Sequence, residues 1–105
     1  MTKIVQISPP KLAMALEKDA CVLIDVREPS EHAAARIPGA VLRPLSSFDP
    51  GKLPVNPAKA LVISCAAGGR SMQAAERCVE AGMRVMNLTG GLAAWRQAGL
   101  PVVQG

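Results

Sequence analysis

At 105 residues the chain has the length of one domain, and a chain this size hides about 60–70% of its extended surface, enough for one core and no second one. Half of it is hydrophobic, which argues against a disordered chain, but only Phe48 and Trp95 are aromatic, so the core is expected to be aliphatic. The 12 basic and 8 acidic residues give a net charge of +4; with no basic run and no aromatic platform the chain is no nucleic-acid binder, and the mild positive field either keeps it soluble or draws a small anion or an acidic partner.

In chain order, the opening M-T-K-I-V-Q-I-S has no long apolar run and no small-residue cleavage site, so it is not a secretory leader. Residues 3–7 read as a first strand. Ser8 caps a helix over 9–18, with Pro9 at its first position and Leu12, Ala13 and Leu16 on one face. Residues 22–26 form a second strand, and 29–36 a short helix stopped before Pro38. A third strand spans 40–43. Segment 44–57 carries Pro44, Pro50, Pro54 and Pro57 and reads as an irregular surface connection with at most one helical turn, at 46–49.

A fourth strand, 60–64, begins the longest nearly apolar run, 60–67, which is far shorter than the ~18 residues that cross a membrane. Residues 71–81 have helical periodicity, with Gly82 past the end. A fifth strand (84–88) and a helix over 91–98, ended by Gly99 and Pro101, complete the pattern. Short apolar strands alternating with helices predict a parallel sheet covered on both faces. The whole chain, 1–105, is expected to be a single cytoplasmic domain.

The chemistry concentrates where the fourth strand ends, in S-C-A-A-G-G-R-S. Ligands of open parallel sheets bind beyond the carboxyl ends of the strands, where Cys65 stands. Gly68 and Gly69 permit positive φ angles, which let successive N–H groups converge into an anion-binding nest. The following helix adds free N–H groups. A free thiol titrates near ~8.5, and bringing it to ~7 takes about 2 kcal/mol of preferential anion stabilisation. Amides, the helix start and Arg70 are expected to supply it, with small Ala66 and Ala67 leaving the bowl open. The competing reading is an inert, buried cysteine above a tight turn.

The other candidates carry bland alternatives. Asp25 and Arg27 either tune the site, Asp25 accepting from loop amides or Arg70, or form a structural ion pair. Arg70 either meets substrate or points outward, and Ser71 either donates to substrate or caps the helix. His32 reads as surface or structural. Cys21 and Cys78 read as packing residues, Trp95 as core, and Met72, Met83 and Met86 as the same. Three cysteines cannot all pair, and there is no C-x-x-C and only one histidine, which argues against disulfides and a zinc site. No metal or other cofactor is called for.

C-A-A-G-G-R-S resembles the active-site loop of the rhodanese family. Residues 23–28, L-I-D-V-R-E, are similar to its second-strand signature, A-R-I-P-G-A at 35–40 to its usual G-H-I-P-G-A, and 87–102, N-L-T-G-G-L-A-A-W-R-Q-A-G-L-P-V, to its ending. The resemblance implies a three-layer α/β/α fold with a five-stranded parallel sheet of order 3-2-4-5-1, numbered in chain order. It also implies a sulfurtransferase similar to thiosulfate sulfurtransferase. Cys65 would take a sulfane sulfur from a small anionic donor (thiosulfate or a persulfide), hold it as a persulfide, and pass it to cyanide, a thiol or a protein acceptor.

Residues 66 to 71 would bind substrate, with Asp25 and Arg27 in support, in a monomer or weak dimer. Ala35 and Arg36 depart from the family pattern, and Arg70 is the loop's single cation, which leaves the donor open. Two alternatives belong to other classes. One is a phosphatase or arsenate reductase of the same fold, whose loop holds one residue more between cysteine and arginine than the four here. The other is a non-catalytic sulfide- or redox-sensing module.

Overall fold

The computed structural model describes residues 4–105. Strand β1 (Ile4–Ile7) leads into helix α1 (Pro9–Glu17). Ser8 caps that helix as expected, its hydroxyl accepting from the Lys11 amide at 3.4 Å. The predicted first residue of β1, Lys3, lies outside the described residues. Then follow β2 (Cys21–Asp25), the one-and-a-half-turn helix α2 (Pro29–Ala34), β3 (Ala35–Arg36) and β4 (Val41–Leu42). Strand β5 (Ala60–Ser64) feeds α3 (Gly69–Glu80), and β6 (Val85–Leu88) feeds α4 (Gly91–Gln97), before β7 (Val103–Gln104).

Five strands form one parallel sheet in the order β1-β6-β5-β2-β4. With β4 as the third predicted strand this is the expected 3-2-4-5-1 arrangement read from the other edge. The chain leaves β2 for β4 on one side and returns to β5 on the other, so the winding reverses between β2 and β5. Asp25 and Ser64 are register partners there, and the crevice above them is where such sheets bind ligands.

The alternation of β5 explains which way the site faces. Leu61, Ile63 and Cys65 join one apolar cluster with Ala74, Ala75 and Cys78 of α3, while Val62 joins the opposite cluster with Leu12 and Trp95. Ala74 and Ala75 have no exposed surface, and their small side chains bring α3 close onto the sheet. On the other face Trp95, 2% exposed, gives its indole N–H to the Pro101 carbonyl at 2.8 Å. Truncating it to alanine is expected to cost about 3–5 kcal/mol.

Three expectations are corrected. The short helix does not run to Arg36: it stops at Ala34, because Ala35 and Arg36 turn extended and pair antiparallel with Gln104 and Val103 in a separate two-stranded ribbon. The proline-rich connection holds two single turns of 3-10 helix, Leu45–Ser47 and Pro50–Lys52, rather than one at most. The second turn is set by Asp49, whose carboxylate accepts from the Gly51 amide at 2.9 Å. The helix after Cys65 begins at Gly69, two residues before the predicted start. Among the described residues no helix is long and apolar enough to cross a membrane.

Candidate active site

Cys65 follows directly on the last residue of β5. The chain then turns through Gly68, whose φ of 108° lies in the left-handed region. That turn brings the Gly68 amide to 3.0 Å from Cys65 Sγ. The Ser71 hydroxyl, in the first turn of α3 and without exposed surface, lies 3.3 Å from the same sulfur.

Burial pushes the Cys65 thiol up, but the Ser71 hydroxyl and the amides of Ser71, Gly68 and Ala67 outweigh it, and the net position is below that of an ordinary thiol. The Ser71 hydroxyl can serve both charge states of the sulfur. With a protonated thiol, S–H donates to Ser71 Oγ, and the hydroxyl donates to the Gly68 carbonyl at 3.1 Å. Once the sulfur is anionic it has no proton to give, so the Ser71 O–H turns to it. The Gly68 carbonyl then keeps the Met72 amide, at 3.3 Å.

A second glycine pair holds the loop from below. The amides of Leu92 and Ala93, in the first turn of α4, donate to the carbonyls of Cys65 and Ala66 at 2.8 and 3.0 Å. With those carbonyls tied down, the amides that follow are free to turn to Sγ. The approach requires Gly91: at φ +59°, a Cβ there would sit 2.5 Å from the Cys65 carbonyl oxygen and 2.8 Å from the Ala66 carbonyl carbon. The sequence reading gave Gly90 and Gly91 no role at the site, although two adjacent glycines after β6 were the available signal.

Of the predicted loop residues, Ala67, Gly68 and Ser71 therefore supply donors to the sulfur. Ala66 contributes its carbonyl to the anchor on α4. Gly69 opens α3, and a Cβ there would meet nothing within 4 Å. Ser71 is not the cap, because Gly68 occupies that position. The bowl is also not open: Cys65 is 2% exposed.

Arg70 turns to neither the sulfur nor Asp25. It makes a two-pronged pair with Glu31 of α2, at 2.7 and 3.0 Å. Glu31 also accepts from the Glu28 amide at 2.9 Å, completing the capping box of α2. The Arg70 hydrogen bonds first, and the Glu28 amide second, hold the Glu31 carboxyl down to about 2. Sequence reasoning missed Glu31, whose partner is 39 positions away.

Asp25 and Arg27 form the structural ion pair of the two readings considered. Both are buried, and the guanidinium chelates the carboxylate at 2.7–3.1 Å while also bonding the Ala35 carbonyl at 2.6 Å. His32 joins through Nδ1, 3.0 Å from the same carboxylate. Burial raises the Asp25 carboxyl, but hydrogen bonds from Arg27 and His32 prevail and lower it. The alternative considered, hydrogen bonds from loop amides or Arg70 to Asp25, is not formed, because Arg27 and His32 already occupy its oxygens. Cys21 and Cys78 are buried free thiols. Burial alone pushes Cys78 up to about 11. Burial, aided by Asp19, raises Cys21.

A cysteine-bearing loop set at the switch point of a doubly wound parallel sheet defines the class of this domain. The chain belongs to the rhodanese-like domain family, whose sequence profile matches residues 8–98. It is 41% identical over 101 residues to an uncharacterised protein of Synechocystis, covering 95% of this chain and 56% of that protein, so it spans little more than half of that relative's length. It is 37% identical over 83 residues to a sulfurtransferase of Allochromatium vinosum, covering 78% of each. The crystal structure of a rhodanese-related protein from Thermoplasma volcanium superposes with a TM-score of 0.83 at 28% identity, covering 94% of this chain and 97% of that one.

Proposed function

We propose that this chain is a sulfurtransferase that carries a sulfane sulfur on Cys65. The observation that carries the reading is the Gly68 amide 3.0 Å from a sulfur whose thiol lies below the ordinary range despite burial. The thiolate attacks the outer sulfur of the donor. An S–S bond forms to Sγ, the donor's own S–S bond breaks, and the leaving group (sulfite, if the donor is thiosulfate) departs with the electron pair. The charge then sits on the terminal persulfide sulfur, within reach of the same amides. An acceptor thiolate or cyanide attacks that sulfur, and Cys65 leaves as the thiolate it was. No external oxidant or reductant enters.

A phosphatase or arsenate reductase fits less well. Only four residues separate Cys65 from Arg70, and the guanidinium that would embrace a tetrahedral oxyanion is bound to Glu31 instead. We take the domain to be a cytoplasmic unit, monomeric or weakly dimeric, where three unpaired thiols suit a reducing setting, and its acceptor to be a small thiol or a protein cysteine. The test is intact mass measurement after treatment with thiosulfate, glutathione persulfide or polysulfide. Addition of one sulfur atom to the wild type and none to Cys65→Ala supports the reading. No addition from any donor, with brisk hydrolysis of an aryl phosphate, replaces it with the phosphatase.

A further inference from the structure

The loop's only cation is not available to a substrate as the structure stands. Both prongs of Arg70 end on the two oxygens of Glu31, at 2.7 and 3.0 Å. The carboxylate is itself fixed by the Glu28 amide at 2.9 Å, so it cannot swing away without uncapping α2. Both side chains are about one-third exposed, 35% for Arg70 and 36% for Glu31, which places the pair at the surface beside the loop rather than beneath it. A free guanidinium offers parallel donors that suit the sulfonate oxygens of thiosulfate, and here a carboxylate of the same shape already takes them. A dianion seeking Arg70 must displace Glu31 and then lie beside its unpaired negative charge.

Resting on the sulfurtransferase reading above, we infer that Glu31 sets the donor class of this site: by holding Arg70 it disfavours dianionic thiosulfate and leaves the loop to sulfane donors of single or no negative charge carrying an organic group, such as alkyl persulfides and thiosulfonates. The remaining parts of the loop suit such a donor. The amides of Ala67, Gly68 and Ser71 serve one sulfur. Ala66 and Ala67 offer methyl groups instead of further charge, and Ala67 is exposed at the mouth. The buried Asp25–Arg27 pair is internally neutralised at 2.7 Å and adds no free cation.

The two sulfur-donating reactions balance in the same way. With a protonated alkyl persulfide, the Cys65 thiolate bonds the outer sulfur, the donor's S–S bond breaks, and the alkyl thiolate leaves with the electron pair. With methanethiosulfonate, methanesulfinate leaves instead. Glu31 touches none of the reacting atoms. It is a specificity residue that acts through Arg70.

The test compares thiosulfate with methanethiosulfonate, which differ by one charge and share the sulfane chemistry, using cyanide as acceptor. Glu31→Gln removes the charge but keeps a side chain able to close the capping box, and circular dichroism checks its folding. The wild type is expected to have the higher kcat/KM for methanethiosulfonate. Glu31→Gln should raise kcat/KM for thiosulfate by about tenfold and leave methanethiosulfonate within about twofold of wild type. Adding Arg70→Gln should abolish the thiosulfate gain, since the gain passes through the freed guanidinium. A ratio of the two donors unmoved by Glu31→Gln, or a loss of thiosulfate activity, overturns the inference alone. A wild type that takes sulfur from neither donor overturns the sulfurtransferase reading and this inference with it.

Discussion

Cys65 and Cys78 belong to the same apolar cluster under α3 and are nearly equally hidden, at 2% and 0% exposed. Their thiols nevertheless move in opposite directions. Cys78 sits in the last turn of α3, where the neighbouring backbone N–H groups are spent on helical hydrogen bonds, so burial alone acts and pushes it up to about 11. Cys65 sits where a strand has ended and a helix has not begun, and there the amides of Ala67, Gly68 and Ser71 are still free to serve a side chain. The direction in which each thiol is shifted follows from unspent main-chain donors, and exposure plays little part.

The sharpest way to break that comparison is to exchange the roles of the two cysteines. Cys65→Ser should cut cyanide-coupled sulfur transfer by about a thousandfold or more. Cys78→Ala should leave turnover within about twofold while lowering unfolding free energy by about 1 kcal/mol for the lost sulfur. Steady-state rates and urea melts report the two quantities separately. Equal losses of turnover would mean the donors around Cys65 are irrelevant.

Next in size is Gly91→Ala, which leaves every side chain of the loop in place. Its Cβ would meet the Cys65 and Ala66 carbonyls at 2.5 and 2.8 Å, and its φ is left-handed. A loss of about 3 kcal/mol in denaturant unfolding is expected, together with loss of persulfide loading by mass measurement in protein that remains folded. Smaller again is Ser71→Ala. Hydrogen bonds to charged groups contribute about 1.5–3 kcal/mol, so kcat/KM at neutral pH should fall by about tenfold, with the rising limb of the pH–rate profile displaced to higher pH. An unmoved limb would remove Ser71 from the account.

The smallest effect belongs to acid. Glu31 titrates at about 2 in the folded chain against an ordinary 4.5. A lowered carboxyl contributes its stability above the unfolded value, and loses it as pH falls through the folded one. Unfolding free energy should therefore decline between about pH 4.5 and 2 by less in Glu31→Gln than in the wild type. The difference should stay under about 1 kcal/mol, because water screens a pair this exposed.

What the sequence disclosed depends on how local the cause is. The strand at 60–64, the Ser8 cap and the Cys65 loop were legible, because each rests on the periodicity or chemistry of a few adjacent residues. The β3–β7 ribbon was not. It joins Arg36 to Val103 across most of the chain, and two-residue strands have no period to detect. The Arg70–Glu31 pair and the anchoring of the Cys65 and Ala66 carbonyls by α4 escaped for the same reason, since both join segments far apart in sequence. The start of α3 was misplaced because Gly69 and Arg70 lack the apolar spacing that marks the helix from Ser71 onward.

The most direct test of the central claim is the rate of Cys65 alkylation by a small reagent as a function of pH, in a Cys21→Ala/Cys78→Ala background so that one thiol reports. A midpoint below that of free cysteine, moving upward when Ser71 is replaced by alanine, is the predicted result. A midpoint at or above the free value would contradict it, and Cys65 would then be as inert as Cys78.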